Sequence, residues 1–178
     1  MNANELRPVS RLIDPQGHDV TPLPWEEAQA RIEAARFCFL TTLHASGRPH
    51  TRPVLAVWTG GVLYTTTTGT AQKGRNLRSD PRCSVAIMGE DMHIVLEGTA
   101  SPVHGEAMLK QVAEAYRSKY NWPVTVVTGG FDAPYAAPAA GSPPYKPYQV
   151  TPTVAYGWGT NDIVGPRHTR WSFSHDTT

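Results

Sequence analysis

With two cysteines in 178 residues, Cys38 and Cys83, the chain cannot carry a disulfide framework. Each lies in an apolar, strand-like run, so both are expected as buried free thiols rather than a bridge or a nucleophile. No segment approaches the roughly 18–20 apolar residues of a membrane span. Residues 1–17 lack the basic-then-apolar pattern of a signal peptide, and the expected location is cytoplasmic. Sixteen Lys and Arg against fifteen Asp and Glu leave a net charge of +1, which argues against a nucleic-acid partner. The seven histidines, at 18, 44, 50, 93, 104, 168 and 175, include no i, i+3 or i, i+4 pair, so nothing local supports a metal site. Asp132, Asp162 and Glu97 form no paired-carboxylate pattern, and no G-x-S-x-G elbow is present. Hydrolysis has no visible machinery. These absences fit chemistry carried by a cofactor, with the protein supplying orientation and electrostatics.

What is present centres on Tyr64 to Pro81, YTTTTGTAQKGRNLRSDP. Val62 to Thr68 is rich in valine, tyrosine and threonine and reads as a strand. Gly69 breaks it, and Thr70 is placed to cap a short helix over Ala71 to Arg78, ending before Asp80-Pro81. A run of hydroxyls thus feeds a helix N-terminus, where free N–H groups and the dipole favour an anion. Lys73 adds a point charge, with Arg75 and Arg78 nearby in sequence. The alternative is a solvated strand end followed by a basic surface helix.

At this length the chain reads as one domain over 21–178, preceded by a loosely held polar arm at 1–20. A helix follows Pro22 and Pro24, with Glu26 and Glu27 in its first turn, Arg31 and Arg36 towards its end, and Ala28, Ile32 and Ala35 on one face. Strands are then expected at Phe37 to Leu43, Arg48 to Trp58, Val62 to Thr68, Cys83 to Met88 and Met92 to Pro102, joined by hairpin-length turns. Such a meander tends to close into a small barrel. His104 to Tyr120 reads as a second long helix. From Gly129 to Pro147 no period survives; Phe131, Tyr135, Tyr145 and Tyr148 suggest a cover laid over a surface, the alternative being a segment that crosses the barrel end and buttresses the dimer. Tyr148 to Trp158 and Thr169 to Phe173 read as closing strands.

Four motifs in this order carry a family resemblance: Gly47-Arg48-Pro49; Arg52-x-Val54-Leu55; the tyrosine-threonine strand leading to Lys73, Asn76-Leu77 and Asp80-Pro81-Arg82; and Thr169-Arg170-Trp171-x-Phe173. From about Phe37 to Phe173 the chain resembles the flavin-binding split-barrel superfamily that includes pyridoxamine 5'-phosphate oxidase. It departs from the oxidase pattern at Val57, where that pattern has lysine, and at Gln72, where it has arginine. The K-x-x-N-L form, Pro143-Pro144-Tyr145 and the T-R-W-x-F ending are more similar to the deazaflavin-dependent branch, which uses coenzyme F-420.

The resemblance implies a mainly β split barrel with flanking helices, acting as a homodimer with the cofactor in the groove between barrels. It implies hydride transfer between that cofactor and a small unsaturated organic substrate. The implied cofactor contacts are Arg52, Val54, Leu55, Thr66, Thr67, Thr68, Gln72, Lys73 and Asn76, with backbone groups of Val54 to Val57 reading the ring edge. Val54 to Trp58 and Cys83 to Met88 are expected as exposed apolar strands at the two-fold interface. An FMN-dependent oxidase or reductase on the same scaffold, or a non-catalytic carrier of flavin or haem, remain alternatives.

Overall fold

A computed structural model describes residues 8–13, 17, 19–136 and 141–174. Strand β1 (Val9–Leu12) precedes helix α1 (Trp25–Ala34). Pro24 stands at the helix N-cap, ahead of the turns that need its absent N–H, and Glu26 and Glu27 in the first turn oppose Arg31 in the last. Trp25, Ala28 and Ile32, spaced at three and four residues, are the side chains that α1 buries. Arg31 reaches past the helix to Asp91, Nε to Oδ1 at 2.9 Å, tying α1 to a turn of the barrel.

Strands β2 (Cys38–Leu43), β3 (Pro49–Val54), β4 (Ala56–Thr59) and β5 (Val62–Thr68) follow, then helix α2 (Gln72–Ser79). After β6 (Arg82–Met88) and β7 (Met92–Pro102) comes helix α3 (Glu106–Tyr120). The chain closes with β8 (Thr125–Val127), β9 (Gly130–Asp132), β10 (Tyr145–Gly159) and β11 (Thr169–Ser172).

The strand order is β1-β11-β10-β7-β6-β2-β3, with β5 also on β10 and β4 on β5. The long β10 organises the sheet: β7 runs along it, β5 takes the stretch from Tyr145 to Val150, and β11 takes Val154 to Gly157. Where β7 meets β10, a Cβ on Gly98 would lie 2.1 Å from the Thr151 carbonyl, so this approach requires glycine. The sheet curls around a core that includes Leu40, Leu63, Ile87, Ile94, Leu96 and Trp171. A second core forms outside β4 and β5, where α3 lays Val112 and Tyr116 over Val57 and Tyr64.

β3 and β4 are consecutive in the chain yet bond to different neighbours, β2 and β5. The barrel is therefore open between β3 and β5. The strand expected over Arg48 to Trp58 is thus two strands, broken at Leu55. Local propensity is the same on both sides of the break, and the separate pairings decide it.

Other expectations also change. Within the arm expected at 1–20, Val9–Leu12 pairs with β11 as an edge strand. In the supposed cover at 129–147, Gly130–Asp132 is a strand and Tyr145 begins β10. Phe131, Tyr145 and Tyr148 are buried in the cores, whereas Tyr135 is exposed. The rings of Phe131 and Tyr145 fill the space under α3 and against Trp122, with Trp122 and Tyr145 edge-to-face at 5.0 Å, whereas Tyr148 lies in the barrel core. Ala137 to Ala140 lie outside the described residues. Val54, Ala56 and Val57 are buried inside the protomer, so the expected exposed strand at Val54 to Trp58 is not one. Cys83 to Met88 alternates instead, burying Val85 and Ile87 and exposing Met88. Both cysteines are free, Cys38 buried and Cys83 half-buried. Burial pushes their thiols up, to about 11 and about 12 respectively. Among the described residues no helix is long and apolar enough to cross a membrane.

Candidate functional site

The threonines of β5 build the entry to α2. Thr67 Oγ1 donates to the Thr68 carbonyl at 3.3 Å, and Thr68 Oγ1 accepts the Ala71 N–H at 3.2 Å. Thr70 was the expected cap, but Ala71 holds the N-cap position with no side-chain cap, and the hydroxyl that closes the turn belongs to Thr68. A Cβ on Gly74 would meet the Thr68 carbonyl at 2.5 Å, so glycine lets α2 lie against the end of β5. Thr67 and Thr68 are buried by this packing, and Thr66 is the half-buried one of the three. The hydroxyls of Thr67 and Thr68 therefore shape the turn.

Gln72 and Asn76, one turn apart on α2, belong to a polar network beneath the helix. Gln72 Nε2 donates to Asn76 Oδ1 at 2.7 Å, and Asn76 Nδ2 donates to Thr42 Oγ1 at 2.9 Å. His44 Nδ1 lies 3.3 Å from Gln72 Nε2, while Arg48 donates to His44 Nε2 at 2.9 Å. His50 lies opposite Thr42 on β3, its ring edge-to-face with His44 at 5.4 Å, and its Nδ1 is buried without a hydrogen-bond partner. His50 is held below the ordinary histidine range, first by burial and then by the charges of Arg52, His44 and Arg48.

Lys73 and Arg52 differ from these engaged residues. Lys73 is half-buried and pairs with no carboxylate among the described residues; burial, then the Arg52 charge, hold it below the ordinary lysine range. Arg52 is exposed on β3, two residues beyond His50 on the same face, and spends one bond on the Thr51 carbonyl at 2.8 Å. Arg52 and Lys73, on different elements, lie near enough for the charge of Arg52 to bear on Lys73. No Asp or Glu occurs from Ala34 to Ser79, a stretch that holds Arg36, Arg48, Arg52, Lys73, Arg75 and Arg78. Asp80, the next acid, is taken by Arg82 at 2.6 Å. An anion is what this arrangement can hold.

Backbone groups between Val54 and Val57 have partners within the chain. The Leu55 carbonyl already accepts from Thr65 Oγ1 at 3.2 Å and Tyr116 OH at 3.1 Å. The Ala56 carbonyl accepts from Lys119 Nζ at 3.1 Å. Val57 pairs with Tyr64 and turns into the second core, away from the split. His44, Arg48 and His50 lie in the acid-free stretch that can be counted in the sequence, and only the fold brings them beside Gln72 and Asn76. Among the described residues, no three of His, Cys, Asp and Glu gather as a metal site. A hollow of about 460 Å³ lies on the outer face, between Thr41, Ser84, Glu97 and Thr153.

Residues 24–159 match the family model described as pyridoxamine 5'-phosphate oxidase, and the chain belongs to that family. No curated protein matches. Among solved structures, a conserved hypothetical protein of Mycobacterium tuberculosis is 19% identical, with TM-score 0.62 over 80% of this chain and 88% of that one. A haem-binding protein of Mycobacterium smegmatis is 20% identical, with TM-score 0.56 over 83% of this chain and 61% of that one. An F-420 reductase is 21% identical, with TM-score 0.53 over 71% of this chain and 94% of that one. At these identities the likeness shows the fold, that of the split barrel.

Proposed function

We propose that this member of the pyridoxamine 5'-phosphate oxidase family binds a phosphate-bearing deazaflavin, coenzyme F-420, at the split, and transfers hydride between it and a small unsaturated organic substrate. The observation that carries this is the pair Arg52 and Lys73, whose charges act on one another and which meet no carboxylate among the described residues. Lys73 and Arg52 hold the phosphate, Thr66 offers a hydroxyl, and Gln72 and Asn76 keep α2 in place against β2. When bound, such a group supplies two-electron hydride chemistry, which requires no nucleophile from the chain. FMN is the second reading, supported by the family match. The departures at Val57 and Gln72 count against pyridoxamine phosphate oxidation, and the K-x-x-N-L form, Pro143-Pro144-Tyr145 and the T-R-W-x-F ending favour the deazaflavin.

The groove is completed by a second copy in this proposal. Phe37, just before β2, and Phe39, Met88 and Trp158 on β2, β6 and β10 are exposed, and a second copy would cover them. The absorption spectrum of protein purified from its native host tests the reading. A violet deazaflavin band supports it, an additional blue band indicates FMN, and a Soret peak replaces it with haem binding.

A further inference from the structure

We propose that Tyr116, Lys119 and Tyr120 of α3 are positioning residues that set the opening between β3 and β5, and with it the anion site at Arg52 and Lys73; this rests on the phosphate-binding reading above. Consecutive peptides of a sheet are normally held by neighbouring ladders. At Leu55 and Ala56 the chain has left the β2 ladder and is only entering that of β5. Polar backbone groups at such a crossing need other partners.

Helix α3 supplies most of them, beside the Thr65 hydroxyl on the Leu55 carbonyl. Tyr116, fully buried, donates its hydroxyl to the Leu55 carbonyl, and Lys119 Nζ donates to the Ala56 carbonyl. Tyr120 accepts the Ala56 N–H at 3.2 Å, and its hydroxyl also lies 2.9 Å from the Arg36 carbonyl and 2.8 Å from that of Ala56. A hydroxyl has one proton. With Lys119 serving Ala56, the Tyr120 proton is free for Arg36, so this one side chain joins the approach to β2 with the start of β4. It is a staple across the base of the split. Burial raises the Tyr120 hydroxyl to about 12, so it remains a donor throughout the neutral range.

Arg52 lies three residues before Leu55, on an edge strand whose ladder partner is β2 alone. Displacing the bend therefore displaces Arg52, whereas Lys73 is anchored separately through α2. The distance between the two cations depends on the staple. At the other end of β4, Gln111 Nε2 donates to Thr59 Oγ1 at 3.1 Å, so α3 grips the strand at both ends.

Tyr120→Phe keeps the ring and removes the staple. Binding of FMN and of coenzyme F-420 is titrated well below the melting temperature, beside amide exchange of the cofactor-free protein. Dissociation constants raised about tenfold, with faster exchange at residues 52–57, support the proposal. A lowered melting temperature with wild-type affinity overturns it, because a merely structural role changes stability alone. Lys119→Met should repeat the loss and Lys119→Arg should restore affinity; this pair decides the matter if Tyr120→Phe does not fold, and equal affinity of the two overturns the proposal. If the wild-type chain binds neither cofactor, the phosphate-binding reading fails by itself. Exchange at 52–57 then decides: faster in the variants supports the staple, and unchanged overturns it.

Discussion

Asn76 on α2 donates to the hydroxyl of Thr42 on β2 at 2.9 Å, a buried bond between residues 34 apart in sequence. It fixes the helix that carries Lys73 to the strand that pairs with the one carrying Arg52. Removing the carboxamide leaves Gln72 without its Asn76 acceptor as well. Asn76→Ala should therefore lower the unfolding free energy by about 1–3 kcal/mol. Denaturant titration measures this, and an unchanged midpoint would show that the network adds nothing to stability.

Lys73→Ala should weaken a phosphate-bearing cofactor by roughly 1.5–3 kcal/mol, the scale of a charge-assisted hydrogen bond. Lys110, paired with Glu106 at 2.6 Å on the exposed side of α3, is the control. Its alanine variant should bind as wild type does when both variants are titrated with cofactor by fluorescence. Equal losses from both would mean general positive charge is responsible, not a site.

Light scattering at micromolar concentration should give about twice the chain mass of 19.5 kDa. Phe37 is 62% exposed and Met88 73%, so charges there should be harmless to the fold and harmful to assembly. Phe37→Asp with Met88→Asp should give the single-chain mass with an unchanged circular dichroism spectrum. A wild-type monomer that still binds cofactor would remove the shared groove.

His50 makes stability depend on pH in a definite direction. Its folded value lies below the unfolded one, so near neutrality the unfolded chain binds more protons and stability rises with pH. The contribution is complete above the unfolded histidine value of about 6.5 and is lost as pH falls towards the folded one. His50→Gln should lose less stability than wild type between about pH 7.5 and pH 5, by parallel denaturant titrations. A greater loss in the variant would reverse the assigned sign.

Much of the architecture was legible because alternation and turn residues are local. The hairpins from Phe37 to Pro102 and the helix after Gly69 follow from side-chain period and from backbone freedom at glycine. Lys73 was legible from its place at the start of a helix after a threonine strand, and Arg52 from the family motif; the acid-free stretch from Ala34 to Ser79 holds four other cations, so charge alone selects neither. The roles of the threonines and amides were not legible. Thr68 and Asn76 are chemically as suited to a ligand as to the turn and network they serve, and only the approach of α2 to β5 and β2 assigns them. The break at Leu55 was equally hidden, because its cause is the separate pairing of β3 and β4 and the reach of Tyr116 and Tyr120 from more than sixty residues away. Phe131, Tyr145 and Tyr148 sit among glycines and prolines that erase any period; packing under α3 makes Phe131 and Tyr145 core residues, and the barrel interior takes Tyr148. Sequence determined the elements and the charge of the site; long-range packing decided which polar groups remain free to meet a ligand.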